Sequence, residues 1–98
     1  VVLTGKRDVI STPETTRINE TGHPILTKVT GAGCLLGSII ATCLTTNALP
    51  LEQVHTAVAF YGLAAEYAVA QKHVNGPGTF IPSFIDALSM DVTQLERI

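Results

Sequence analysis

The sequence predicts the closing part of an α/β fold: a strand, an edge hairpin, a glycine turn and then only helices. Three observations carry that reading. The chain opens on a continuous apolar run, Val1-Val2-Leu3, that stops at Gly5, as a strand covered on both faces does. Two short polar segments follow on either side of Pro13-Glu14. Past Thr30-Gly31-Ala32-Gly33-Cys34 the apolar pattern becomes helical and stays so.

Element by element, Val1 to Thr4 is the buried strand, and Asp8 to Ser11 with Thr15 to Asn19 forms a hairpin on the sheet edge. Thr21-Gly22-His23-Pro24 is a turn, and Ile25 to Val29 returns as a short extended segment feeding the glycines. A helix is expected from Ala32 to about Thr46, ended by Asn47 and Pro50. A second runs from Leu51 to about His73 and closes at Asn75-Gly76-Pro77-Gly78. Between Ala57 and Ala70 its only charged residue is Glu66, so it should lie inside a larger body or an oligomer. Thr79 caps a third helix with Pro82 in its first turn, and Phe80, Ile81, Phe84, Ile85 and Leu88 form its packing face. Asp91 with Gln94 reads as a capping box for a last short helix.

Ninety-eight residues make one domain. Hydrophobic residues are 46% and charged residues 14% of the chain, a balance that suggests more buried faces than this mass covers by itself. An opening in the middle of a strand points the same way, to a segment of something longer. The net charge of −2, with six scattered basic residues, leaves no electrostatic footprint for nucleic acid. No apolar run reaches membrane-spanning length. Cys34 and Cys43 are nine residues apart on one predicted helix, about 13 Å by helical rise, too far for a disulfide. The cytoplasm is the expected compartment.

The chemistry concentrates in Thr30 to Cys34. Gly31 and Gly33 let the backbone approach a ligand closely, and N–H groups from Gly31 to Cys34 converge at a helix start. The free N–H groups and the positive dipole end there favour an anion such as a phosphate. Neither a Walker P-loop nor a dinucleotide fingerprint is present, and a tight strand–helix connection built for packing alone stands beside the anion nest as a reading. Cys43 should be inert packing, whereas Cys34 sits where a helix start favours a thiolate. Thr4-Gly5-Lys6 can present a hydroxyl and a cation at a strand end, or can simply enter the hairpin. Lys28 could reach a phosphate or stay solvated; His23, His55 and His73 show no partners, and no metal-ligand spacing appears.

Taken in order, Val1-Val2-Leu3-Thr4-Gly5-Lys6, Asp8-Val9-Ile10, Gly22-His23-Pro24, Thr30-Gly31-Ala32-Gly33-Cys34 and Gly76-Pro77-Gly78-Thr79-Phe80 resemble the C-terminal part of the hydroxyethylthiazole kinase family. The resemblance runs the whole length and implies that residues 1–98 are the C-terminal segment of one ribokinase-like three-layer domain. It implies ATP-dependent phosphorylation of the hydroxyethyl group of 4-methyl-5-(2-hydroxyethyl)thiazole in thiamine salvage, with magnesium, by a cytoplasmic homotrimer. On it, Thr4 is the ATP-contacting threonine and Gly31 touches the thiazole. Gly31, Ala32, Gly33 and Cys34 form the anion hole, and Cys34 takes the catalytic-base position that most ribokinase-like kinases fill with aspartate. The magnesium-placing acid and most of the thiazole pocket would lie upstream of Val1, so residues 1–98 alone are expected neither to fold stably nor to phosphorylate. Rival readings are a hydroxymethylpyrimidine-type kinase, a catalytically idle assembly surface and a redox-sensing Cys34.

Overall fold

The computed structural model describes residues 1–45, 49–91 and 95. A three-stranded antiparallel sheet in the order β1-β2-β3 is built from β1 (Val2–Leu3), β2 (Asp8–Ser11) and β3 (Thr16–Asn19). A 3₁₀ helix at Pro24–Lys28 leads to α1 (Ala32–Cys43), α2 (Pro50–Val69) and α3 (Pro77–Leu88).

The hairpin forms where expected. Asp8 faces Asn19 and Ser11 faces Thr16 in the ladder, and the turn closes through Thr12 N–H to the Thr15 carbonyl at 2.8 Å. Because side chains alternate across a strand, the register sorts them into two rows. Val2, Ile10 and Arg17 are aligned across the strands, with Ile10 buried and Arg17 reaching Glu52 in the first turn of α2 at 2.9 Å. Leu3, Val9 and Ile18 form the other row, and Leu3 is 63% exposed. The opening run is therefore a short, open strand rather than one covered on both faces. The sheet gives its Ile10 row to α2, and no described element covers the Leu3 row.

The segment expected to be extended at Ile25 to Val29 is instead a single 3₁₀ turn. His23 is the reason: its Nδ1 accepts the Ile25 N–H at 3.1 Å, and Pro24 fills the first helical position with its φ already set. Thr27 then bonds back to the Pro24 carbonyl at 2.7 Å.

The second helix lies at the centre of the chain. It packs on β2 and β3 with one side and on α1 and α3 with others, so the chain itself covers most of its apolar girth. Ala57, Ala64, Ala65 and Ala68 are fully buried and let those neighbours approach. It starts at Pro50 and ends at Val69, short of His73, where Val74 N–H turns back to the Gln71 carbonyl. The first helix ends at Cys43; Thr46 and Asn47 lie outside the described residues.

The third helix begins two residues before Thr79. The Thr79 hydroxyl, three positions past Gly76, takes the Asn75 N–H at 2.7 Å and so ties the turn to the helix. Only part of its expected packing face is buried. Phe80 and Phe84 are buried against α2, stacked with ring centroids 5.1 Å apart, and Ala87 completes that side. Ile81 and Ile85 lie outside it, Ile85 at 57% exposure. The helical step explains this: positions 80, 84 and 87 follow the i, i+4, i+7 line, and 81 and 85 sit roughly 100° round from it. His73 Nε2 meets the Ser83 hydroxyl at 2.6 Å across the α2–α3 turn. Leu95 is fully buried and its N–H reaches the Asp91 carbonyl at 3.2 Å; Gln94 lies outside the described residues.

One contact leaves no slack. A Cβ added at Gly62 of α2 would come 2.6 Å from the Thr21 carbonyl carbon and closer still to the Thr21 hydroxyl oxygen. In the full-length chain, Gly62→Ala should cost about 1–3 kcal/mol through overpacking. Urea denaturation checks this, and pairing it with Thr21→Gly should not restore the parent stability, because the backbone carbon of residue 21 still stands in the way.

Candidate functional site

A polar relay connects the sheet to α2 and shapes the principal cleft. The Asp8 carboxylate accepts the Gly5 N–H at 3.1 Å and the Asn19 side-chain amide at 2.8 Å. Asn19 is 4% exposed, and its carbonyl oxygen lies 3.0 Å from the Thr21 hydroxyl. That hydroxyl is also 3.1 Å from the Ala59 carbonyl of α2 and shares its proton between the two. The loop carrying Thr4 is thus bonded, step by step, to the central helix.

The cleft has a volume of about 1450 Å³. The β1–β2 loop supplies Thr4, Gly5, Lys6 and Arg7 on one side, and the start of α1 supplies Ala32 and Gly33 on another. Tyr61 and Gly62 of α2 contribute to its wall. Arg7 is paired with Glu20 at 2.9 Å, both well exposed, a contact worth at most about 1 kcal/mol. Lys28 lines a smaller cavity of about 300 Å³ with His23 and Pro77, away from the glycine turn.

The helix start is well formed. Gly31 is the cap with φ +90, a left-handed conformation that glycine adopts without strain. The Leu35 N–H closes the first turn on the Gly31 carbonyl at 2.9 Å. The N–H groups of Gly33 and Cys34 fall within that first turn, where the helix has no carbonyl to offer them. An anion near them meets unsatisfied donors at the positive dipole end.

Thr4, Ala32 and Gly33 are therefore brought together on the cleft. Gly31 and Cys34 are not part of its lining. The cleft side of α1 is formed by Gly33, Leu36, Gly37 and Ile40, while Cys34 is one residue, about 100°, round the helix and exposed. Cys43 is partly buried, and both cysteines are free thiols. Among the described residues no three His, Cys, Asp or Glu side chains cluster as a metal site. No helix among them is long and apolar enough to cross a membrane.

Two site residues escape sequence reasoning. Asp8 looks like an ordinary strand-start carboxylate until the fold brings Asn19 beside it. Tyr61 donates its hydroxyl to the Ala32 carbonyl at 2.7 Å, so a residue 29 positions away holds the glycine turn. Burial pushes the Tyr61 phenol above the ordinary 10.0, so it remains a protonated donor throughout the neutral range. The only trace of this in the sequence is a phenol beside Gly62 in an otherwise apolar stretch.

The sheet, the three helices and the cleft at the helix start have the ribokinase-like α/β architecture. The chain superposes on a hydroxyethylthiazole kinase structure from Pyrococcus horikoshii OT3 with a TM-score of 0.85 and 28% identity, over 98% of this chain and 37% of that one. Residues 1–94 match the model of the hydroxyethylthiazole kinase family, and the chain belongs to that family. Among curated relatives it is 55% identical to hydroxyethylthiazole kinase 1 of Oceanobacillus iheyensis, over 91% of this chain and 35% of the relative. It is 46% identical to a hydroxyethylthiazole kinase of Staphylococcus epidermidis, over 100% of this chain and 38% of that protein. The chain thus spans somewhat more than a third of the length of the relatives it matches.

Asp8→Ala in the full-length chain should leave the buried Asn19 amide only its long 3.5 Å bond to the Thr21 carbonyl and cost about 1–3 kcal/mol of stability. Chemical denaturation measures the loss, and hydrogen exchange should show the Gly5 amide losing protection first.

Proposed function

We propose that this chain serves as the C-terminal segment, residues 1–98, of a ribokinase-like kinase domain. The complete kinase would transfer the γ-phosphoryl group of ATP to the hydroxyethyl group of 4-methyl-5-(2-hydroxyethyl)thiazole in thiamine salvage. The observation that carries this reading is the first turn of α1, with unsatisfied N–H donors next to a cleft on one side and an exposed thiol on another. Membership in the hydroxyethylthiazole kinase family supports the choice of acceptor.

On this reading the nucleotide phosphates enter the cleft, where the Thr4 hydroxyl contacts ATP and Lys6 supplies a cation. The thiazole alcohol approaches from the Cys34 side and touches Gly31. Its oxygen attacks the γ-phosphorus as the bond to ADP breaks. Gly31, Ala32, Gly33 and Cys34 form the anion hole for charge developing on the transferred group. Cys34 orients the hydroxyl and takes its proton late. An alcohol is far less acidic than a thiol, so a thiolate has little drive to remove that proton outright. Phosphoryl transfer is mostly loose, however, and positioning with charge stabilisation supplies most of the rate, so a modest base suffices. Magnesium, when bound, would be carried by the nucleotide phosphates and would offset their charge; among the described residues no cluster of His, Cys, Asp or Glu is placed to hold it. The working assembly would be a cytoplasmic homotrimer with the thiazole site between neighbours, which fits a base on an open face.

The test is steady-state turnover by the full-length chain with ATP and the thiazole alcohol. Cys34→Ala should lower kcat by about 100-fold, the lower end for loss of a proton acceptor, with ATP binding intact. Cys34→Asp should keep or raise it. Full activity of Cys34→Ala at saturating substrate would remove the base role. Turnover of a hydroxymethylpyrimidine in place of the thiazole would reassign the substrate, and absence of ATP affinity would leave an assembly role.

A further inference from the structure

We propose that Tyr61 is a positioning residue that strengthens and fixes the anion-binding peptide at the start of α1 by donating its hydroxyl to the Ala32 carbonyl. The proposal rests on the phosphotransfer reading above and adds to it a residue that lies outside the glycine turn.

The bond is 2.7 Å long and links the centre of α2 to the first residue of α1. The Ala32 carbonyl and the Gly33 N–H belong to one planar peptide unit joined by resonance. A hydrogen bond donated to the oxygen draws electron density from the nitrogen and leaves the N–H more positive. Gly33 lines the cleft, so the polarised donor belongs to the wall that a phosphoryl group would meet.

The same bond fixes position. The cap of α1 is a glycine, so no side chain satisfies the first turn, and such helix ends fray. Tyr61 supplies a rigid post instead. Its ring meets Phe84 edge-on, with centroids 5.0 Å apart and planes at 86°, and Phe84 stacks on Phe80 within the core. The ring alone would satisfy that packing, as phenylalanine does; the hydroxyl is the part directed at the glycine turn. It keeps the N–H groups in place before a substrate arrives, which is where preorganised donors gain their catalytic value.

The experiment compares Tyr61→Phe with the parent full-length chain. Loss of one such bond should lower kcat by about fivefold, within the usual worth of a hydrogen bond, with KM for the thiazole alcohol unchanged. The Gly33 amide proton resonance should move upfield, a response that general loosening of the core does not produce. Phe80→Leu, which removes the ring stack without touching α1, controls for lost stability. An equal fall in kcat in that variant at a matched loss of Tm would overturn the proposal. An unmoved Gly33 resonance in Tyr61→Phe would do the same. If Tyr61→Phe fails to fold, a ring-fluorinated tyrosine at position 61 has nearly the same shape and is a stronger donor. It should move the Gly33 resonance downfield, and no movement would overturn the claim. A parent chain without turnover would count against the phosphotransfer reading, while the Gly33 resonance would still decide the hydrogen bond.

Discussion

The narrow flank of α2 governs how the hairpin, α1 and α3 are placed. Ala57, Gly62, Ala64, Ala65 and Ala68 keep that helix slim, so the sheet, α1 and α3 can all reach its backbone or its short side chains. Dispersion and apolar burial then act over short distances on several sides at once. The larger residues supply the fixed points. Val58 and the pair Phe80 and Phe84 fill the core, and an aromatic pair of this kind adds about 0.5–1.5 kcal/mol beyond its buried area. Among the described residues, buried polar side chains are partnered, Asn19 by Asp8 and Ser83 by His73 among them.

Around that helix the start of α1 has two distinct sides. One belongs to the cleft, with Ala32 and Gly33 opposite the loop that carries Thr4. Another presents Cys34 to solvent. In the proposed reaction the nucleotide and the alcohol would therefore come to the same turn from different directions, a separation suited to in-line displacement. The relay from Gly5 through Asp8, Asn19 and Thr21 to Ala59 and the bond from Tyr61 to Ala32 tie both walls of the cleft to one support. Their spacing is thus fixed by α2 and not by the loops themselves.

What the sequence makes legible and what it hides divides along the range of the interactions. The hairpin around Pro13-Glu14, the helix beginning at Ala32 and the buried α2 follow from alternation, glycine and helical periodicity, all of which act within a few residues. The 3₁₀ turn at Pro24–Lys28 is also local, but it depends on the His23 ring accepting the Ile25 N–H, which competes with an extended reading of Ile25 to Val29. The sequence assigns α3 too wide a packing face because Ile81 and Ile85 are as apolar as Phe80 and Phe84, and only the position of α2 chooses between them. The exposure of Leu3 has the same origin: an apolar run states that a strand can be buried, not what covers it. The glycine turn itself is written in Gly31 and Gly33. The placement of Cys34 round the helix from the cleft, and the hold that Tyr61 has on Ala32, emerge only from packing between elements distant in sequence.

The seat of Thr21 on Gly62 has a consequence for how this sequence can drift. Residues 21 and 62 are 41 positions apart, yet the Thr21 side chain occupies the volume where a β-carbon at 62 would stand. The two positions are a single unit of inheritance as far as substitution is concerned. A methyl group gained first at 62 meets both the side chain and the carbonyl carbon of residue 21, whereas bulk surrendered first at 21 passes through a looser intermediate in which the backbone must still shift. Thr21 also contributes to the relay through Asn19, so that route would loosen the cleft before it widened the choice of residues on α2. The pair therefore constrains the path of sequence change, and not merely its end points.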